Sequence, residues 1–351
     1  MINTCDIIVG LQHGDEGKGK VAHAMLKYNN YDYCIRFNGG PNAGHTIHVN
    51  ENQQITLHQL PCGVLHKVPS IIGTNCVIDI FKLEVEIKQV EDAFPDLKGI
   101  KDRLYLAHNA HLILACHIDS EMYKHDAIGT TGCGIGPCYE DKISRKGLRV
   151  GENDDIVSKL KFQVINMYEH FQKQSRDQKQ SRDQKQSTKI LFEGAQGFQL
   201  DIDWGDYPYV TSSVTNAYGV YTCGVPNLQI QDVVGCAKIY DTYVGNKCFP
   251  NVPALQKLGN EIGATTGRPR QTNWLNLQSL EKAIKMNNCS YVLFNKCDIL
   301  KELNIYQLYN EDGDMKTFDT WIDMQNYIYD YIHTNINTNM NIIFSESPEH
   351  V

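Results

Sequence analysis

The chain has 351 residues, 42% of them hydrophobic and 21% charged, which is enough to bury a substantial core, and its formal net charge is −8. Net acidity argues against a general binder of nucleic acid or anionic membranes, since such proteins present a basic face; small basic pockets for anions remain open. The twelve cysteines form no CxxC pair and sit in apolar runs, so they read as reduced thiols rather than a disulfide framework.

No apolar run is long enough to span a bilayer, and the N-terminus lacks a basic leader followed by an apolar segment, so a cytosolic protein is expected. Short β-branched runs recur from "CDIIVGL" and "YDYCIRFN" through "ITLHQL", "IIGTNCVIDI", "RLYLAHNAHLIL" and "KILFEGAQG" to "DVVGCAKIYDTYVG", "SYVLFNKCD" and "NIIFSES". Several lack strict alternation, as strands buried on both faces do. Between them, "NDDIVSKLKFQVINMYEHF" places Ile156, Leu160, Val164, Met167 and Phe171 near one helical face, and "NLQSLEKAIKMN" and "WIDMQNYIYDYIH" carry similar stripes. Strands alternating with helices predict an α/β fold around a central, mostly parallel sheet flanked by helices. We expect a single domain over residues 1–351 with a polar loop insert near 173–187. There the tandem hexapeptide "QSRDQKQSRDQKQS" has no apolar side chain and suits a solvated loop or helix extension.

Glycine-rich "GDEGKGKV", Gly14 to Val21, follows the first apolar run and matches G-x-x-x-x-G-K, a phosphate-cradling turn. The motif's Ser or Thr, whose hydroxyl holds Mg²⁺, is replaced by Val21. Asp15 can ligate the metal instead, because a carboxylate beside bound phosphates needs a cation between them. "FNGGPNAGHT" presents Asn42 and His45 from a tight loop, and a histidine that titrates near neutrality can act as a general acid. "GTTGCGIGPCYEDKISRKGLRV" and "EGAQGFQLDIDWGDYPYVTSS" are too polar and glycine-rich for core and read as walls of a ligand cleft, Gln196 offering an amide to a base edge. "GATTGRPRQ" groups two threonines and two arginines as a carboxylate site. "NKCD", Asn295 to Asp298, ends a strand as N-K-x-D does in GTP-binding proteins, where its carboxylate accepts hydrogen bonds that guanine can donate and adenine cannot.

These six motifs, in this order from Gly10 to about Pro348, resemble those of the adenylosuccinate synthetase family. The resemblance implies a P-loop-like adenylosuccinate synthetase fold and a homodimeric ligase of purine biosynthesis. Such an enzyme joins L-aspartate to IMP at the expense of GTP through a 6-phosphoryl intermediate, with Mg²⁺ held by Asp15 and the carbonyl of Gly44. Asp15 and His45 would be catalytic. GTP would meet Gly14, Glu16, Gly17, Lys18, Gly19, Lys20, Gly44, His45, Thr46, Lys296, Asp298 and Ser345. IMP would meet Asp15, Lys18, Asn42, Thr131, Gln196 and Thr211, with Arg145 supplied by the neighbouring subunit. Aspartate would meet Thr265, Thr266, Arg268 and Arg270.

The chain departs from the family's usual pattern at His13 (commonly Trp) and at Cys133, Tyr243 and Gln271 (commonly Arg), and its "SESPE" lacks a glycine. Phage relatives, the 2-aminoadenylosuccinate synthetases, act on dGMP and often lose the catalytic aspartate and the K-x-D signature. The retained Asp15, Lys296 and Asp298 favour IMP and GTP. A regulatory GTP-binding switch is the alternative outside the enzyme class, but it would not need an aspartate pocket.

Overall fold

The apolar runs assemble into one nine-stranded sheet whose neighbouring strands all pair in parallel. The computed structural model describes residues 2–50, 53–123, 129–152, 154–180, 187–263 and 267–347. In chain order the strands are β1 (Ile2–Gly10), β2 (Tyr33–Arg36), β3 (Ser70–Ile72), β4 (Leu104–Ala107), β5 (Gln163–Ile165), β6 (Ser187–Glu193), β7 (Leu228–Lys238), β8 (Tyr291–Asn295) and β9 (Asn341–Phe344). Their spatial order is β9-β8-β7-β1-β6-β2-β3-β4-β5. The interior strand β1 lies beside β6 with Ile2 opposite Ser187, and beside β7 with Asn3 opposite Leu228.

Helices cover the faces, so Ile7, Ile8, Val9, Ile35, Ile71 and Leu104 are buried and the strands need no polar alternation. The predicted helices are found at Leu277–Asn287, capped by Asn276 accepting from the Ser279 N–H at 2.8 Å, and at Trp321–Asn335, opened by a Thr320/Asp323 capping box. A second sheet of four strands includes Tyr240–Tyr243 and Gln271–Asn276, which pair antiparallel.

One expected helix is different. Residues 154–171 form a helix at Asp154–Lys159, then edge strand β5, then a helix at Met167–Gln180. The β-branched pair Val164 and Ile165 extends the open edge of β4, which satisfies that edge's backbone groups where a continuous helix would leave them bare. The polar hexapeptide continues the second helix through Gln180, and β6 has begun by Ser187; residues 181–186 lie outside the described residues. Among the described residues no helix is long and apolar enough to cross a membrane.

The carboxyl ends of β1, β2, β6, β7 and β8 open on one edge of the sheet. β1, β2, β6 and β8 each continue into one of the polar segments singled out by sequence, and β7 continues into the strand Tyr240–Tyr243. Chain order makes β1 the switch point, with β6 and β7 on its two sides, and such a point leaves a crevice for ligand.

Candidate active site

The loop after β1 hands over to helix α1 (Lys18–Tyr28) through Gly17, whose φ of 85° is left-handed. A Cβ at Gly17 would lie 2.8 Å from the Asn295 amide, and one at Gly19 would lie 2.7 Å from the His45 Cβ, so both positions require glycine for close approach. Asn295, first residue of the N-K-x-D run, donates from Nδ2 to the Glu16 carbonyl at 2.6 Å and thereby fastens β8 to the phosphate loop.

Glu16 is wholly buried beneath this loop. Its Oε1 accepts from the Gln12 and Gly14 N–H groups at 3.1 and 2.8 Å, and its Oε2 pairs with Lys18 Nζ at 2.6 Å. The Glu16 side chain thus shapes the loop from behind, leaving its backbone as the part that can face a nucleotide. Lys20 likewise turns aside: its ammonium donates to Asn295 Oδ1 at 2.9 Å, Ser345 Oγ at 2.5 Å and the Ser347 carbonyl at 2.6 Å, and burial lowers its pKa to about 8. This places Lys20 and Ser345 together beside the N-K-x-D segment. Lys296 donates to the Gly259 carbonyl at 3.0 Å, and Asp298 is half-buried in the first turn of the helix Cys297–Leu303.

Asp15 takes a left-handed φ of 60°, uncommon without glycine, which presents its carboxylate outward from the loop. Arg270 Nε lies 2.7 Å from Asp15 Oδ2, while Arg270 Nη1 lies 2.6 Å from Glu261 Oε2. Arg270, expected on a substrate carboxylate, is here ion-paired to Asp15, the carboxylate expected to be catalytic. Arg268 Nη2 donates to the carbonyls of Gly129 and Thr130 at 2.9 and 3.3 Å, bringing its loop against the segment that carries Thr131. Thr265 and Thr266 lie outside the described residues.

His45 begins the strand His45–Asn50 and is buried against Gly19. Its Nδ1 meets Glu193 Oε1 in a short contact, and Nε2 is buried without a partner. Glu193 ends β6 and is wholly buried, yet it also receives Arg36 Nη1 at 3.0 Å and the Cys62 N–H at 2.8 Å. Burial opposes its charge, but His45 and Arg36 outweigh that and pull the carboxyl down to about 2. Burial first, then Arg36, lowers the His45 pKa to about 4. An ionised Glu193 only accepts, so the neutral ring carries its proton on Nδ1 and leaves Nε2 as a free acceptor. His45, Cys62 and Glu193 have metal-ligand proximity, but the Arg36 guanidinium already supplies the positive charge, and burial, then Glu193, raises the Cys62 thiol well above its ordinary value.

The remaining walls converge on the same edge. Asn38 exchanges two hydrogen bonds with the Ala195 backbone at 3.0 and 2.8 Å, tying the ends of β2 and β6. Gln196, at φ 58°, has both side-chain amide atoms buried without a partner, and a Cβ at Gly39 would lie 2.8 Å from its Oε1. Buried amides are seldom left unpaired, which makes Gln196 a candidate for contact with a ligand. Asn42 and Thr46 flank His45 in the neighbouring loop, with Thr46 Oγ1 3.0 Å from Thr56 Oγ1. Thr211 N–H donates to the Leu200 carbonyl at 2.8 Å. Thr131 precedes the helix Ile135–Ser144, which ends at the exposed, left-handed Arg145, whose side chain has no partner among the described residues.

Sequence reading missed the groups behind these: Arg36, Glu193, Lys238 and Glu261, and the environment of His13. His13 Nε2 lies 2.9 Å from Asp206 and Nδ1 3.1 Å from Asp241, with Tyr243 and Phe249 edge-on at 5.4 Å. Burial disfavours the imidazolium, but Asp241 and Asp206 outweigh it and raise the His13 pKa to about 9. The ring pins the root of the phosphate loop to two other segments.

A family model described as adenylosuccinate synthetase matches residues 7–183 and 156–333. The chain is 38% identical over 356 residues to an adenylosuccinate synthetase of Chlorobium limicola, covering 88% of this chain and 81% of that one. It is also 38% identical to that of Helicobacter pylori, covering 84% and 79%. Among solved structures it superposes on a fully ligated adenylosuccinate synthetase from Plasmodium falciparum with TM-score 0.78 and 27% identity, over 98% of this chain and 97% of that one. The fold is shared too by a cyanophage S-2L succinoaminodeoxyadenylate synthetase bound to dGMP and dATP, with TM-score 0.75 and 22% identity over 99% and 94%. With its motif loops gathered at one sheet edge and its length matched nearly end to end, the chain belongs to the adenylosuccinate synthetase family.

Proposed function

We propose that the chain condenses L-aspartate with IMP using GTP, and that the observation carrying this reading is the unpartnered Nε2 of His45, backed by Glu193 and packed on the loop that presents Asp15. In the first step Asp15 takes the N1 proton of IMP, O6 forms a bond to the γ-phosphorus, and the bond from that phosphorus to the β-phosphate oxygen breaks to release GDP. Negative charge gathers opposite His45. Its ring takes a second proton from solvent at Nε2 as the anionic substrates enter, before phosphoryl transfer, and the fixed carboxylate of Glu193 offsets the imidazolium. In the second step the aspartate amine attacks C6 and the C6–O bond breaks, expelling phosphate, a far better leaving group than the original oxygen.

The oxygen donors Asp15 and Gly44 fit Mg²⁺: both are hard ligands, and Asp15 already attracts a cation in Arg270. When bound, the metal would offset phosphate charge. Gln196, Asn42, Thr131 and Thr211 would line the IMP side, and Lys296, Asp298 and Ser345 the guanine side. Arg268 and Arg270, with Thr265 and Thr266, would serve the aspartate. The exposed, unpaired Arg145 suits a reach into the site of a neighbouring subunit. Mixing an Asp15→Asn variant with an Arg145→Leu variant, each inactive alone, should restore turnover through one intact site per mixed dimer. No recovery would place Arg145 in its own subunit's site or outside both.

The deciding experiment incubates the protein with Mg²⁺, aspartate, GTP or ATP, and IMP or dGMP in every combination. Adenylosuccinate, GDP and phosphate from the IMP and GTP mixture are expected. A succinylated product from dGMP and ATP alone would overturn the assignment, as would GTP hydrolysis with no succinylated nucleotide.

A further inference from the structure

The loop proposed to hold aspartate hangs from a neck whose two sides are Glu261 and Arg270. Across that neck the Arg270 N–H donates to the Glu261 carbonyl at 2.9 Å, and the two side chains form an ion pair at 2.6 Å. Glu261 is itself fixed from behind. Lys238 Nζ, from the end of β7, lies 2.9 Å from Oε2, and the Tyr240 hydroxyl donates to Oε1 at 2.5 Å. Lys238 also donates to Thr242 Oγ1 at 3.0 Å. Lys238, Tyr240 and Glu261 are all buried, so their charges are paired in a weakly screened interior where geometry is held stiffly.

Arg270 is the one member of this cluster that reaches out of it. With Nη1 on Glu261, its guanidinium lies with Nε 2.7 Å from Asp15 Oδ2, an ion-pair contact in which the N–H is not aligned for a hydrogen bond, and Nη2 has no partner among the described residues. A lysine, with one compact ammonium on a flexible stem, would not bridge the two carboxylates with a rigid fork.

We propose that Glu261 is a positioning residue for Arg270, and that through it the buried Lys238–Tyr240–Glu261 cluster locks the neck of the aspartate loop against Asp15 of the phosphate loop. The two half-sites are thereby built as one unit: the arginine that meets the incoming amino acid with Nη2 is the same one that orients the base for the preceding proton transfer. This rests on the functional reading above in its assignment of Asp15 and of the aspartate loop.

Two measurements on Glu261→Gln test it. Positional isotope exchange in labelled GTP, with IMP and without aspartate, reads the Asp15 step alone; the aspartate KM reads the loop. Both should suffer, the exchange rate falling and the aspartate KM rising about tenfold or more, with the IMP KM little changed. In an Arg270→Lys background the same substitution should add little, since its effect passes through the guanidinium. Undiminished cost in that background would mark Glu261 as merely structural and overturn the proposal. Because Glu261→Gln leaves Lys238 unpaired, the double variant Lys238→Met/Glu261→Gln removes both buried charges and keeps the test available if the single variant does not fold. Hydrogen exchange of the segments around Asp15 and Arg270, read without substrates, should quicken in both variants. Unchanged exchange in both segments would sink the clamp even if the protein made no succinylated nucleotide, a result that by itself would count only against the functional reading.

Discussion

Two buried charge clusters flank β1, and they end differently. On the β6 side, Glu193 gathers Arg36 and His45 and leaves one histidine nitrogen open; on the β7 side, Glu261 gathers Lys238 and Arg270, whose guanidinium lies on Asp15. Both hold a wholly buried glutamate ionised, since cations outweigh the cost of burial in each. The contrast is in what each offers. The first leaves an atom free for an anion, whereas the second occupies the carboxylate with a cation until a substrate arrives.

Substitutions can break this comparison or sharpen it. The largest effect is expected from Asp15→Asn, which removes the group that the second cluster serves. Turnover should fall by about 10³-fold while GTP binding survives, and steady-state rates beside a nucleotide titration check it; near-parental turnover would remove Asp15 as the base. Glu193→Gln should strike the first cluster as a matter of stability, because Arg36 is left buried without its partner at a cost of about 3 kcal/mol or more. Urea unfolding measures this, and an unchanged midpoint would show the cluster to be less tightly coupled than its distances imply.

A further substitution touches neither buried glutamate. Asp298→Asn should raise the KM for GTP about tenfold or more and leave that for IMP almost unchanged; a parallel rise in both constants would take guanine reading away from Asp298. The smallest effect concerns His23 and His66, whose rings meet with nitrogens 3.0 Å apart on the far side of α1. Burial, then His23 and Lys27, lowers the His66 pKa from 6.5 to about 4. The unfolded chain therefore binds the extra proton first, so this pair's contribution is complete above pH 6.5 and lost as pH falls through about 4. His66→Gln should flatten that acid-side loss by about 1 kcal/mol after discounting for partial exposure, seen as a smaller fall in melting temperature between pH 7 and pH 4. An unaltered slope would assign the acid sensitivity elsewhere.

The parts of the site legible in the sequence were those built from consecutive residues. "GDEGKGK", "NAGHT" and "NKCD" each carry their chemistry within a few positions, and each follows a strand that was itself readable from β-branched residues. The hidden parts join distant segments. Arg36, Glu193 and Lys238 nevertheless left a signal: each is a charged residue that directly follows an apolar run at the carboxyl end of its strand, where charge is tolerated only if paired. Glu261 left none, because its partners come from β7, the strand after it and the far side of its own loop. The helix expected over 154–171 failed for another reason: apolar residues spaced for one helical face also served an edge strand, and the pairing needs of β4 decided between them.

The placement of β1 has a consequence for how the molecule comes into being. Of the nine strands β1 comes earliest in the chain yet lies inside the sheet, and neither neighbour exists until translation has passed Ser187 on one side and Leu228 on the other. Such distant pairings are slow to form. A nascent chain therefore carries its phosphate loop long before anything holds that loop in shape, so purine chemistry can begin only after most of the polypeptide has left the ribosome.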